Sequence, residues 1–175
     1  MKRKLRLIIL VFILLCAKAN AYNSKAFVTE WNITGTSLTI PLTHTASGSK
    51  KYSWNLYDSS NVLRNSGTQG SSTSLTISIP SAGIYVVEII PNATPGTFSI
   101  SMLGSSFATN LTKVIQWGTL PWTTMVSAFR TCNKLDVTAT DSPLLTNVTD
   151  MSYMFYGCTN LIGNANFNNW ITTNV

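Results

Sequence analysis

The chain has 175 residues, twelve Lys+Arg against six Asp+Glu, and a formal net charge of +6. Only 10% of its residues are charged and His44 is its single histidine, so the clustered ligands of a metal centre are missing from the sequence. The positive excess is concentrated at the N-terminus, which excludes a basic nucleic-acid stripe as its origin.

Lys2, Arg3, Lys4 and Arg6 precede an unbroken apolar run of 11 residues, Leu7 to Ala17. A membrane-spanning helix needs about 20 such residues, so the run is too short to cross. Ala19-Asn20-Ala21 fits the small-x-small pattern of signal cleavage. Residues 1–21 are therefore expected to be a signal peptide, with cleavage at Ala19 and Ala21 leaving Tyr22 first. The rival is an uncleaved N-terminal anchor. Lipidation at Cys16 is disfavoured by the bulk of Leu15. Lys18 joins the four earlier cations in the leader. Twelve less five leaves seven cations against six acids, a mature net charge of +1. The expected location is secreted or cell-surface, with no membrane span in the mature chain.

Within an expected β-sandwich domain, residues 22–112, the stretch from 27 to about 102 reads as short strands. Phe27, Trp31 and Ile33 share one parity, as do Leu38, Ile40 and Leu42, and then Tyr52, Trp54 and Leu56. Leu75, Ile77 and Ile79 repeat the pattern, and Phe98, Ile100 and Met102 close it. Period two places one face inward and one in water. Ile84 to Ile90 is more continuously apolar and is expected to be a central strand. Asp58 to Asn61, Gly67 to Ser74, Pro80 to Gly83 and Pro91 to Gly96 supply turn and loop chemistry between the strands. Strands at this spacing predict a small immunoglobulin-like β-sandwich. Gly104-Ser105-Ser106 interrupts the pattern, and Lys113 to Trp117 reads as one more strand.

From residue 113 the pattern changes. Met125-Val-Ser-Ala-Phe129-Arg-Thr-Cys132-Asn-Lys-Leu135 returns 26 residues later as Met151-Ser-Tyr-Met-Phe155-Tyr-Gly-Cys158-Thr-Asn-Leu161. A period in the twenties is that of stacked solenoid units, each of which buries its apolar face against a neighbour. Met125, Phe129, Cys132 and Leu135, with Met151, Phe155, Cys158 and Leu161, are the expected repeat core. Met151, Met154, Phe155 and Cys158 fall at i, i+3, i+4 and i+7, which predicts a short helical or 3-10 turn in each unit. Leu135 to Ala139 then alternates as a strand. Thr173-Asn174-Val175 repeats Thr146-Asn147-Val148, so a third unit begins, and the region 113–175 is expected to be a truncated array. Cys132 and Cys158 occupy equivalent positions. Export permits a disulfide between them, and packing as small core fillers is the alternative.

The stretch Val148 to Leu161, followed by Asn169-Trp170-Ile171-Thr172-Thr173-Asn174-Val175, resembles the BspA-like leucine-rich-repeat surface proteins of bacteria. Units of that family read approximately V-T-x-M-x-x-M-F-x-x-C-x-x-L, then N-W-x-T-x-x-V. The first unit departs from this, with Trp122-Thr123-Thr124 ahead of Met125 and Ala128 where the family has Met. Phe27 to Trp31 is also similar to the opening of exported family members. The resemblance implies the start of a leucine-rich-repeat solenoid and a secreted or surface-attached protein that binds an extracellular protein or glycan ligand. It brings no catalytic residues and no cofactor.

The residues themselves favour binding over catalysis. No Gly-x-Ser-x-Gly elbow frames a serine, no phosphate-cradling loop is present, and none of Glu30, Asp58, Glu88, Asp136, Asp141 and Asp150 sits in a motif. A hydrolase is thus the least supported function. Variable polar positions of the units, Asn133, Lys134, Asp136, Thr159 and Asn160, form the candidate ligand surface of an adhesin-type protein. The alternative is a carbohydrate-binding β-sandwich that stacks sugars on tryptophan. Periodicity instead assigns Trp31 and Trp54 to the core. Sequons at Asn32, Asn92, Asn110 and Asn147 are potential glycan acceptors in a eukaryotic secreted chain.

Overall fold

A computed structural model describes residues 22–44, 52–69, 73–92 and 96–175. Ala19, Ala21 and the rest of the expected signal peptide lie outside the described residues; Tyr22 is the first of them. The chain is mainly β, with no long helix among the described residues.

Among the described residues ten strands carry the fold: β1 (Phe27–Ile33), β2 (Ser37–Ile40), β3 (Leu42–His44), β4 (Tyr52–Asp58), β5 (Leu63–Gln69), β6 (Leu75–Ser78), β7 (Gly83–Pro91), β8 (Phe98–Ile100), β9 (Leu111–Gln116) and β10 (Asp136–Val137). One six-stranded sheet has the order β10-β9-β1-β7-β4-β5; β2–β6 and β3–β8 form two further antiparallel ladders. The mostly apolar run Ile84–Ile90 lies inside β7, between β1 and β4; Tyr85, Val87 and Ile89 enter the main core while Val86 and Ile90 pack in a smaller cluster, so both faces of the strand are apolar. Pro41 divides β2 from β3, since it has no N–H to give a ladder.

Strand β5 has no counterpart in the sequence expectation, which left 62–66 unassigned and began a loop at Gly67. Its sequence Leu-Arg-Asn-Ser-Gly-Thr-Gln has no apolar alternation because it is an edge strand with little buried surface. Gly67 is what its partner requires: a Cβ there would stand 2.7 Å from Cζ2 of Trp54.

Buried residues of all these ladders form one core with the repeat region, from Phe27 through Leu38, Ile77 and Phe98 to Trp117, Phe129 and Val148. The boundary expected at 112/113 falls inside β9, and β9 pairs with β1 on one side and β10 on the other. A smaller cluster of Ala26, Val28 and Val86 covers the opposite face of the sheet, where the first residues fold across it.

Gly118 fixes that N-terminal segment. Its φ is +63°, and an added Cβ would collide with the backbone carbonyl oxygens of Lys25 and Ala26. Thr119 N–H donates to Lys25 O (3.0 Å), while Gln116 Nε2 donates to the carbonyls of Asn23 (2.7 Å) and Ala26 (2.8 Å). Gly118→Ala combines left-handed strain with backbone overlap, and is expected to cost at least about 2 kcal/mol. Urea denaturation followed by tryptophan fluorescence measures the loss.

Candidate functional site

The repeated segments are not helical. Ala128 N–H donates to Met125 O (3.0 Å) and Cys132 N–H to Phe129 O (3.1 Å); Met154 N–H donates to Met151 O (3.0 Å) and Cys158 N–H to Phe155 O (3.1 Å). The third residue of each turn has a positive φ: Ser127 55°, Thr131 61°, Tyr153 59° and Gly157 75°. These are tandem turns of type II geometry, and an L residue in the left-handed region rules out a helix there. Two four-residue turns in series send their first and fourth residues inward, which mimics the i, i+3, i+4, i+7 spacing. This corrects the expected helical turn. The counterpart of β10 in the second unit likewise forms no strand; Ala165–Asn169 is a 3-10 helix capped by Asn164, whose Oδ1 accepts from Asn166 N–H (2.9 Å).

The two units stack through their backbones. Amides of Met125, Ser127, Phe129 and Thr131 donate to carbonyls of Asp150, Ser152, Met154 and Tyr156, at 3.0, 2.9, 2.9 and 2.7 Å. Each bond spans 25 residues. The corresponding amides of the second unit, on Met151, Tyr153, Phe155 and Gly157, have no acceptor among the described residues. Phe129 and Phe155 stack with centroids 5.6 Å apart at 13°, and Phe167 continues the stack at 6.2 Å and 12°.

Met125, Phe129, Cys132 and Leu135 are fully buried, whereas Met151, Phe155, Cys158 and Leu161 are half-buried on the outer unit. Both cysteines are free thiols, and Cys158 Sγ donates to Phe129 O at 3.0 Å. Burial pushes the Cys132 thiol well above its ordinary range and Cys158 up to about 11. Alkylation by iodoacetamide at pH 8 is expected to be slow at both thiols in the folded chain and complete in urea, as read by intact mass.

The candidate ligand residues separate into two kinds. Asn133, Lys134, Thr159 and Asn160 are exposed. The Thr159 hydroxyl and Asn160 N–H both donate to Asn133 O, at 3.2 Å each, which ties the rims of the units together. Asp136 is not free to meet a ligand. Its Oδ1 accepts the amides of Val137 (2.8 Å), Ile162 (3.1 Å) and Gly163 (2.9 Å), so its carboxylate joins one unit to the next. Asp141 acts in the same way one layer earlier, accepting from Gly118 N–H (2.7 Å) and Trp117 N–H (3.0 Å).

Burial opposes the charge of Asp136, but the amides of Gly163, Ile162 and Val137 outweigh it and hold its carboxyl below the ordinary range. A depressed carboxyl contributes stability above its unfolded value of about 3.9 and loses it as pH falls through the folded value. Asp136→Asn is therefore expected to cost roughly 1–3 kcal/mol at neutral pH and to flatten the loss of stability below about pH 4. Thermal denaturation across pH 2–7 tests both effects.

A cluster absent from the sequence reading lies beside this rim. Tyr153 and Tyr156 are 59% and 58% exposed, with ring centroids 5.9 Å apart and an interplanar angle of 74°. The Arg130 guanidinium carbon lies 5.0 Å from each centroid. Such contacts are worth about 0.5–1 kcal/mol at exposed sites. Only repeat arithmetic pointed here: Arg130 and Tyr156 are equivalent positions, as are Ser127 and Tyr153.

Elsewhere, several polar groups are satisfied internally, although the buried Nε1 atoms of Trp122 and Trp170 have no hydrogen-bond partner among the described residues. A shallow cleft of about 330 Å³ between Asp58, Arg64 and the Pro80–Tyr85 turn holds a closed Asp58–Arg64 pair (Nε to Oδ2 2.7 Å) and a Tyr85 hydroxyl donating to Ser81 O at 2.9 Å. Buried Glu88 accepts from Asn23 N–H (2.6 Å), Asn55 Nδ2 (2.8 Å) and the Tyr57 hydroxyl (3.2 Å). Burial and then the Glu88 charge raise the Tyr57 hydroxyl above its ordinary range. Among the described residues no three His, Cys, Asp or Glu side chains converge as metal ligands. His44 is buried against Tyr52, centroids 5.2 Å apart. No helix among the described residues is long and apolar enough to cross a membrane. No protein-family model matches the chain, and no curated protein is significantly similar to it.

Proposed function

We propose that this is an exported, non-catalytic surface protein of the adhesin type. In this reading an immunoglobulin-like β-sandwich, residues 22–112, leads into the start of a leucine-rich-repeat solenoid of the BspA-like kind, residues 113–175. The repeat scaffold presents the residues that bind an extracellular protein or glycan.

The observation that carries this reading is the ladder of four amide-to-carbonyl bonds at one constant spacing. A unit whose backbone bonds and aromatic contacts repeat in register is a stacking element, and its outward positions are free of packing duty. Asn133, Lys134 and Asn160 occupy such positions. The alternative, a carbohydrate-binding sandwich, calls for exposed tryptophan faces. Trp31 is buried and Trp54 half-buried, so the exposed rings lie on the repeat face instead.

Expression of the full precursor in an exporting bacterial host should yield a product whose first residue by mass spectrometry is Tyr22. Beads coated with that product should adhere to surfaces carrying collagen, laminin or mucin. Replacing Asn133, Lys134 and Asn160 together by alanine should lower adhesion at least tenfold with an unchanged thermal midpoint. A retained leader, or adhesion indifferent to the triple replacement, contradicts the proposal.

A further inference from the structure

Tyr153 is an expensive residue in its place. Its φ of +59° lies in the left-handed region, where side chains with a Cβ are disfavoured. The equivalent position one unit earlier is Ser127, which is buried, and the next left-handed position is Gly157. Tyr153 carries the largest side chain at any of these left-handed positions and leaves most of it in water. Packing therefore does not account for it, and an unexplained left-handed residue of this kind marks a functional surface.

Its surroundings specify a ligand. Tyr153 and Tyr156 offer two ring faces at a steep mutual angle, and neither hydroxyl has a hydrogen-bond partner among the described residues. Arg130 lies over both rings and has no carboxylate within ion-pair distance among the described residues. The three acids of the stacked units are already engaged: Asp136 and Asp141 with the amides given above, and Asp150 with Ser152 N–H at 2.7 Å. The cluster thus combines apolar ring faces, hydroxyl donors and one planar cation. An acidic peptide calls for a run of cations, and residues 117–175 contain only Arg130 and Lys134. A sugar ring with one carboxylate matches one cation set between two rings: its C–H face packs on tyrosine and its carboxylate takes the guanidinium fork.

We propose that Tyr153, Tyr156 and Arg130 form a binding site for a carboxylated pyranose, a uronic or sialic acid unit of a glycan. This rests on the interaction-protein reading and names the ligand class it leaves open.

The test is isothermal titration of the full mature chain with trigalacturonate, 3′-sialyllactose, neutral lactose and poly-L-glutamate. Saturable binding of at least one carboxylated sugar, at least tenfold tighter than lactose and than poly-L-glutamate per carboxylate, is expected; which sugar binds separates a uronic from a sialic acid source. Tyr156→Ala and Arg130→Gln should each weaken it at least tenfold. Tyr153→Gly removes a ring while suiting the backbone, so its loss of binding with an unchanged thermal midpoint keeps the test valid if another variant is unstable. Equal binding of poly-L-glutamate, or sugar binding untouched by all three replacements, overturns the site. Absence of sugar binding while beads still adhere to collagen or laminin overturns the site and leaves the broader reading; loss of both overturns both.

Discussion

Trp117 is the contact on which the two parts of the chain depend. Its ring lies within 6.2 Å of four aromatic partners: Phe27 from β1, Trp122, Phe129 from the first turn unit and Trp170 from the second. Phe98 extends the cluster through Trp122 at 4.9 Å, and Tyr52 extends it through Phe98 at 5.3 Å. Aromatic rings bury large areas and favour edge-on contacts, the geometry of all these pairs except the stacked Phe27–Trp117. The amide of the same residue is held by Asp141, which fixes the backbone as well as the ring. The sheet and the first turn unit therefore share one interior, and the second unit rests on both.

The stacked turns rest on a different balance. Each turn needs a residue in the left-handed region, and only Gly157 meets that need without a steric cost. Ser127, Thr131 and Tyr153 carry the strain, which the bonds between units and the stacked phenylalanines offset. The capacity of the scaffold to display a bulky ring outward at Tyr153 follows from that excess of support.

Much of this architecture is legible in the residues. Alternation locates the strands with a buried face, such as β1, β4 and β6, because burial writes period two directly into sequence. It cannot find β5, which meets water on its exposed side and is held by backbone pairing to β4. The repeat is legible as a 26-residue echo, yet its local geometry is not, since tandem turns and a helix leave the same spacing of apolar residues. The role of Asp136 is hidden for a related reason: a carboxylate that binds amides of the next unit looks, in sequence, like any polar rim residue. The Arg130–Tyr153–Tyr156 cluster depends on juxtaposition across units and becomes visible only once the register is known.

The ladder between units also has a polarity with consequences for self-association. Among the described residues the amides of Met151, Tyr153, Phe155 and Gly157 in the second unit have no acceptor, so its far side is a row of donors. A copy related by a two-fold axis would bring donor against donor there, which disfavours a symmetric end-to-end dimer. The opposite side of the first unit meets the sheet region, where Met102 N–H donates to Ser127 O and the neighbouring Thr123 N–H to Phe98 O. The amides of the second unit thus stand where the carbonyls of a further unit, or of any polypeptide that supplies them in register, would pair.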